Sequence, residues 1–340
     1  MDQRQDRAIG AIMGTLIGDA LGVGPHWYYD LDQLRMDYGD WIDNYTEPKP
    51  GRFHEGVNAG ENSQTGQVVT LLLESIYEHE GYNGSDFTER LDSLLDKLDG
   101  TPKGGRYTDK AMRDVWEARK KRSLDWSEAG SFADTAEAAI RTPVLAACYY
   151  NELNTFLDAL QSNILLTHRD PFIAGQSAAF GLIIASLIGG EGLGNASKTI
   201  IRKLSEERTS AVLTVIEDNR KLSISFMDAI LQSSWAYEAA HDSRIKIEPA
   251  SAVCRLFGLA CTLGFMLPAA YYLASRFEAD FYNPLMSALN GGGNNMARAS
   301  LTGALAGAQV GLSGIPDYLI EGLFDHERLI RMAEKITSQK

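Results

Sequence analysis

Glycine and alanine recur at helical spacing in two stretches of this 340-residue chain, and nothing else in the sequence limits its fold as tightly. One stretch is Gly14-Thr-Leu-Ile-Gly-Asp-Ala-Leu-Gly22. The other is Leu301-Thr-Gly-Ala-Leu-Ala-Gly-Ala308, reached through the loop Asn290-Gly-Gly-Gly-Asn-Asn-Met-Ala297. Residues this small let backbones approach closely, and Gly permits the turns that lead into the helices. The Gly-rich loop also gathers main-chain amides at one place, which suits it to hold a ligand.

Apolar residues recur every three to four positions over residues 67–79, 85–98, 108–120, 135–150, 153–165, 171–187, 252–277, 296–312 and 327–336. Alternating patterns are scarce, and Ile245-Lys-Ile-Glu248 is too short to count as a strand. Long loops are expected over residues 26–62 and 100–107. No Pro/Ser-rich linker or charge block divides the chain. The expected fold is therefore all-α, one compact multi-helix domain over residues 1–340. Pro268 should kink or break the long helix that contains it.

A formal charge of −13 argues against a nucleic-acid polymer as partner, because such binding needs basic stripes to release counterions. Cys148, Cys254 and Cys261 form an odd set without CxxC spacing, as in a reduced, cytoplasmic protein with buried thiols. The first residues do not read as a signal peptide. Residues 171–190 and 256–275 are uncharged and reach the ~20 residues of a membrane span. Their Gly, Ala and Ser content and Pro268 read instead as central helices of a soluble domain, so no membrane partner is expected.

Four loops share a design, with polar or Gly residues immediately before a helix. They are Ser63-Gln-Thr-Gly66, Ala133-Asp-Thr135, Thr167-His-Arg-Asp-Pro171 and Gly291-Gly-Gly-Asn-Asn295. Asp170 is a natural N-cap and Pro171 a natural first residue. Helix N-termini present free N–H groups and the positive end of a dipole, which suit phosphates. Each loop alone is also what any capped helix looks like.

At these residues the chain resembles the ADP-ribosylglycohydrolase family. Gly18-Asp-Ala-Leu-Gly22 matches the family's first signature. Thr135-Ala-Glu-Ala-Ala-Ile-Arg141 stands at its Ser-Asn-Gly-x-Ala-Met-Arg segment, Thr167-His168 with Pro171 at its Thr-His-x-x-Pro, and Gly303-Ala-Leu-Ala-Gly-Ala308 closes the set. The resemblance implies a compact helical fold with an ADP-ribose cleft and, in typical members, two Mg²⁺ ions. Departures fall on the metal ligands. Ser63-Gln64-Thr65-Gly66 replaces Thr-Asp-Asp-Thr, and Asn294-Asn295-Met296-Ala297 replaces Asp-Thr-Asp-Thr. A Glu carried by some members falls near His26.

Mg²⁺ wants octahedral oxygen ligands that include carboxylates, and Met cannot serve a hard cation. The expectation is a pocket with no metal ligand and no cofactor, Mg²⁺ being disfavoured. Its replacements are hydrogen-bonding residues, so Gln64, Thr65, Gln67, Thr135, Glu137, His168, Gly292, Gly293, Asn294 and Asn295 are candidates for reading a small-molecule or ADP-ribosylated substrate. An interior polar network that only stabilises the fold would use the same residues.

Glycoside cleavage needs an anion beside the oxocarbenium-like centre and an acid or base for leaving group or water. Asp19, His26 and Asp134 are the catalytic candidates. Asp19 could equally pair within the core, Asp134 could cap a helix, and His26 could stack beside Trp27-Tyr28-Tyr29. His54, His79, His241 and His326 read as loop or surface residues. The resulting reading is hydrolysis of an N- or O-glycosidic bond of ADP-ribose or a related nucleoside or sugar. The alternative is an inactive ligand-binding or structural relative of the J-type crystallins.

Overall fold

The computed structural model describes residues 1–103, 106–217 and 220–338. Residues 104 and 105 of the loop expected at 100–107 lie outside the described residues. Among the described residues sixteen α-helices carry the fold: α1 (Gln3–Val23), α2 (Leu31–Tyr38), α3 (Gln64–His79), α4 (Gly84–Leu95), α5 (Lys110–Trp116), α6 (Glu137–Tyr149), α7 (Leu153–Leu165) and α8 (Pro171–Ile188). They continue with α9 (Leu193–Glu206), α10 (Met227–His241), α11 (Ala252–Phe257), α12 (Leu263–Arg276), α13 (Tyr282–Leu289), α14 (Asn295–Val310), α15 (Asp317–Glu321) and α16 (His326–Ser338).

The two Gly/Ala stretches lie against each other as α1 and α14. A Cβ on Gly14 would sit 2.1 Å from the carbonyl oxygen of Gly303, and one on Gly303 the same 2.1 Å from that of Gly14. Gly10 meets Gly307 in the same way, and Gly18 meets Ala299. One index climbs by four as the other falls by four, so the helices run antiparallel with one helical turn per contact. Bulkier residues would force the backbones apart. Both helices are buried along most of their length, and this pair is the centre of the molecule.

α6 and α8 pack beside this pair. α8 is the helix long and apolar enough to cross a membrane, yet 89% of its apolar window is buried inside the fold, so its hydrophobicity is accounted for by protein neighbours.

Three local expectations need correction. The break expected at Pro268 falls upstream, over residues 258–262, where Gly258 takes φ +126°. That backbone conformation is not helical, so α11 ends there, and a Cβ would in addition lie 2.6 Å from the Phe265 ring. Pro268 is accommodated inside α12, in its second turn. A helix-only reading also missed a hairpin of β1 (Val212–Glu217) and β2 (Arg220–Ser225), antiparallel with Val212 opposite Ser225 and Leu213 opposite Ile224. Its Leu213 and Val215 are buried, the alternation of a one-sided strand. Finally, the segment expected as one helix over 108–120 is the short α5 followed by a π-helical turn at Glu117–Lys121.

Candidate functional site

A cleft of about 250 Å³ opens where loops 24–62, 106–109, 131–136 and 258–262 meet the N-termini of α3, α6 and α14. It collects six residues picked out by sequence: His26, Thr65, Asp134, Thr135, Glu137 and Asn294. Adjoining it lies a second, much smaller pocket of about 10 Å³, which Gln64 and His168 border together with Thr65 and Glu137.

The other expected residues are elsewhere. Asp19 is wholly buried, and its two oxygens accept from the Ser63 amide (2.8 Å), the Ser63 hydroxyl (2.6 Å) and the Asn62 side-chain amide (3.0 Å). Burial raises its pKa against those hydrogen bonds. The Ser63 hydroxyl in turn accepts from the Thr65 amide, so Asp19 anchors the cap of α3 and does not face the cleft. Gly66 is needed there, since a Cβ would come within 2.4 Å of the Asp19 carboxylate. Gln67 points from the other side of α3 into a separate cavity shared with Arg90 and Arg328.

Two amides of the Gly-rich loop are spent within the fold. Gly292 and Gly293 take φ of +73° and +63°, and the Gly293 amide donates to the Tyr28 carbonyl at 2.7 Å. The Asn294 amide donates to the Leu259 carbonyl at 3.0 Å. Asn295 is buried and donates to the Leu289 carbonyl. The loop therefore works as a clasp. It pins the segments around Tyr28 and Leu259 at the edge of the cleft, and Trp27 is held there at φ +61°, a strained value for so bulky a residue.

His54, read as a loop or surface residue, does lie in a loop but is buried, with its Nε2 2.6 Å from Nδ1 of His26. The tautomers follow from the partners. Oδ1 of Asn294 accepts from the Ala297 amide, which fixes it as the oxygen, and it lies 3.1 Å from Nε2 of His26. His26 must therefore donate from Nε2 and accept at Nδ1, which makes His54 the donor from its own Nε2. Burial pushes both imidazoles toward the neutral form, His26 well below its ordinary value and His54 down to about 4, with the His54 imidazole opposing charge on His26 and Arg106 opposing it on His54. A neutral pair fits this one-way chain.

Aromatic rings form the adjoining wall. His26 and Trp27 stack at 4.6 Å between centroids, and Tyr107 meets Trp27 edge-on at 4.7 Å. Lys110 and Arg113 of α5 also line the cleft, with Arg113 beside Tyr107. Cys261, expected in the core, is only half-buried and borders the cleft, where burial and then the charge of Glu137 raise its thiol pKa.

The feature with most chemical content is a pair of carboxyls. Glu137, in the first turn of α6, is hydrogen-bonded by the Thr135 hydroxyl and lies 3.4 Å from Nε2 of His168. Burial pushes its pKa up, but the His168 imidazole and Thr135 outweigh that and hold Glu137 below its ordinary value. Asp109 caps α5 by accepting from the Met112 amide at 3.0 Å. Its pKa is pushed up to about 8, by burial first and by the charge of Glu137 second. One site thus holds two carboxyls that their surroundings push in opposite directions, Asp109 toward its acid form and Glu137 toward its charged form. Sequence reading assigned Glu137 only to binding and missed Asp109, as well as Trp27, Tyr107, Lys110, Arg113 and Cys261. Asp109 carried one signal, an Asp directly before an apolar-periodic run, but that marks a cap and says nothing of a partner 28 positions away.

The Mg²⁺ ions that the resemblance implies do not fit these donors. Asp19 is committed to Ser63 and Asn62, and Oδ1 of Asn294 to His26 and Ala297, while Met296 offers only sulfur. Among the described residues no group of three or more His, Cys, Asp or Glu side chains is placed to hold a metal ion.

The whole chain, residues 1–340, matches the model of the ADP-ribosylglycohydrolase family. An uncharacterised protein of Archaeoglobus fulgidus is 27% identical over 333 residues, covering 98% of this chain and 96% of the relative. Crystallin J1A of Tripedalia cystophora is 21% identical, covering 99% and 98%. A solved structure described as an ADP-ribosylglycohydrolase-related protein complex superposes with a TM-score of 0.68 over 99% of both chains, at 17% identity, which is a likeness of fold. With a full-length family match and the fold to go with it, the chain belongs to the ADP-ribosylglycohydrolase family.

Proposed function

We propose that this protein hydrolyses an N- or O-glycosidic bond at the anomeric carbon of a ribose-like sugar, with Asp109 and Glu137 as its working carboxyls. The observation that carries the reading is that both carboxyls line the cleft, in surroundings that push Asp109 up and hold Glu137 down. Two titratable groups driven apart by their surroundings are how acid and base roles are assigned at neutral pH. Asp109 gives its proton to the departing atom as the glycosidic bond breaks. Glu137 faces the positive charge that develops on the sugar and takes a proton from the water whose oxygen bonds to the anomeric carbon. His168 and the Thr135 hydroxyl hold Glu137 in its ionised form. No step is routed through a metal.

The cleft's size bears on the substrate. At about 250 Å³ it lies just under the ~300 Å³ where pockets for drug-sized ligands begin. It suits a ribosyl group and its leaving group, with a sugar or base face on Trp27 and Tyr107. The rest of an ADP-ribose would extend past Lys110 and Arg113, whose charges suit phosphate.

The experiment is an assay of arginine-, serine- and phosphate-linked ADP-ribose and of small ribosides, in EDTA and in Mg²⁺, with Asp109→Asn alongside. Loss of a general acid should lower turnover by roughly 10²–10⁴-fold, and EDTA should leave the parent rate unchanged. The rate should fall with rising pH as Asp109 loses its proton, around 8, and with falling pH as Glu137 gains one below the usual carboxylate range. Turnover that requires Mg²⁺, or that survives Asp109→Asn, overturns this reading. Inactivity on every substrate returns the chain to a binding or structural role.

A further inference from the structure

Asp109, Glu137 and Thr65 border both the cleft and the small pocket that adjoins it, so the carboxyl pair is the partition between them. The small pocket measures about 10 Å³ and is lined by the buried Gln64, Arg141, Thr167 and His168. That is the room of a single water and nothing larger.

Two buried polar atoms of its lining residues have no protein partner, Oε1 of Gln64 and Nη1 of Arg141. Their chemistry is opposite, and each identity is fixed by its other bonds. The Thr108 hydroxyl donates to the Arg106 carbonyl and so accepts from Nε2 of Gln64 at 3.0 Å, which makes the unpartnered atom of Gln64 the oxygen. Arg141 donates from Nε to Asn163 and from Nη2 to Thr167 at 2.9 Å, leaving Nη1. The guanidinium is fully buried, and with its pKa lowered by burial only to about 10 it stays charged at neutral pH. A pocket that presents one acceptor and one donor selects its occupant. A small cation would suit the Gln64 oxygen but be repelled by Arg141. A small anion would suit Arg141 but not the Gln64 oxygen or the adjoining Glu137 carboxylate. Water accepts from one and donates to the other.

We propose that this pocket is a site for one sequestered water, which accepts from Arg141, donates to Gln64 and gives its second hydrogen to the Asp109–Glu137 pair. The inference rests on reading that pair as the working groups of the cleft. The water is the channel by which Arg141 and Gln64 act on the carboxyls, and it makes Gln64 a positioning residue. A hydrogen bond donated to a carboxylate favours its charged form. Losing the water must therefore raise the pH at which the pair titrates.

Two measurements that need no turnover test this, so their failure is distinct from failure of the proposed reaction. The first is a crystal structure of the whole protein at about 1.5 Å or better. One peak within ~2.7–3.2 Å of both Oε1 of Gln64 and Nη1 of Arg141, lacking the anomalous signal of a heavier ion, supports the site. Direct contact between Gln64 and Arg141 with no peak between them overturns it, as does an ion. The second is a ¹³C-carboxyl titration of the pair in the parent, in Gln64→Met, which removes the acceptor and fills the space, and in Gln64→Glu, which keeps an acceptor. Gln64→Met should move the upper titration toward higher pH by about half a unit or more. Gln64→Glu should leave the crystallographic peak in place. An unmoved titration in folded Gln64→Met overturns the link to the pair. Should that variant not fold, the parent structure and Gln64→Glu decide the matter.

Discussion

The α1–α14 seam and the cleft at its end are built from adjoining residues and obey opposite rules. Along the seam, Gly10, Gly14 and Gly18 meet Gly307, Gly303 and Ala299 backbone to backbone, with no room for a methyl group. At the cleft and the pocket that adjoins it, Trp27 is strained, Nδ1 of His54 and Oε1 of Gln64 lack protein partners, and the surroundings push Asp109 up and hold Glu137 down from their ordinary values. The seam gives up helix propensity only at its glycines, where close packing requires them, whereas the cleft breaks local rules one residue after another. Departures of that kind collect where a protein trades stability for chemistry.

The largest test of this contrast is Gly14→Val. Valine gains a little helix propensity over glycine, but its side chain must enter the Gly303 backbone, with the first carbon already 2.1 Å from the carbonyl oxygen. Neither helix can yield alone, so the clash should win, at a cost of about 4 kcal/mol, the upper range for single substitutions. Urea denaturation measures it. If the midpoint stays where it is, the seam is not the element that holds the molecule together.

Next is the response to acid, which should come from the cleft. His54 has its pKa lowered from 6.5 to about 4, so between those values the unfolded chain binds a proton that the folded chain refuses. The histidine's contribution is intact above about pH 6.5 and is lost as pH falls toward 4, by about 3 kcal/mol in all. His26 acts in the same direction. In His54→Gln, the fall of stability between pH 7 and pH 4 should be distinctly shallower than in the parent. Parallel curves would place the acid sensitivity outside the cleft.

The two regions also differ in how far the sequence discloses them. Helices depend on neighbours three and four residues away, so α7 stands at the limits its periodicity indicates, and Ser63 and Asp170 cap α3 and α8 as their residue types suggest. The break at 258–262 was missed because it depends on the backbone that Gly258 takes with the Phe265 ring against it, a matter of packing. The cleft is assembled from pairs distant in sequence. His26 and Asn294 are 268 positions apart, and whether a histidine such as His54 faces water or another imidazole is not written in its neighbours. The resemblance singled out loops of which three send residues to one cleft, but it could not say that the Gly293 and Asn294 amides would be spent on Tyr28 and Leu259. Nor could it reveal that Asp109 would stand beside Glu137.

The smallest effect sharpens the boundary between the regions. The Thr262 hydroxyl donates to Asp134 at 2.6 Å, and the Leu263 amide donates to the Asp134 carbonyl at 2.8 Å, clipping two rim loops together. Thr262 stands at the N-cap of α12 without making a side-chain cap bond, so Thr262→Val removes the clip and no cap. Since this hydrogen bond is exposed, its loss should cost about 1 kcal/mol or less. Amide hydrogen exchange can place that loss. If the rim opens by itself, exchange at Leu263 and its neighbours should quicken by up to about five-fold while amides of α1 and α14 keep their rates. Equal acceleration in the seam would mean that rim and seam unfold as one unit. The cleft's strain would then bear directly on the scaffold, instead of being confined to the end of it.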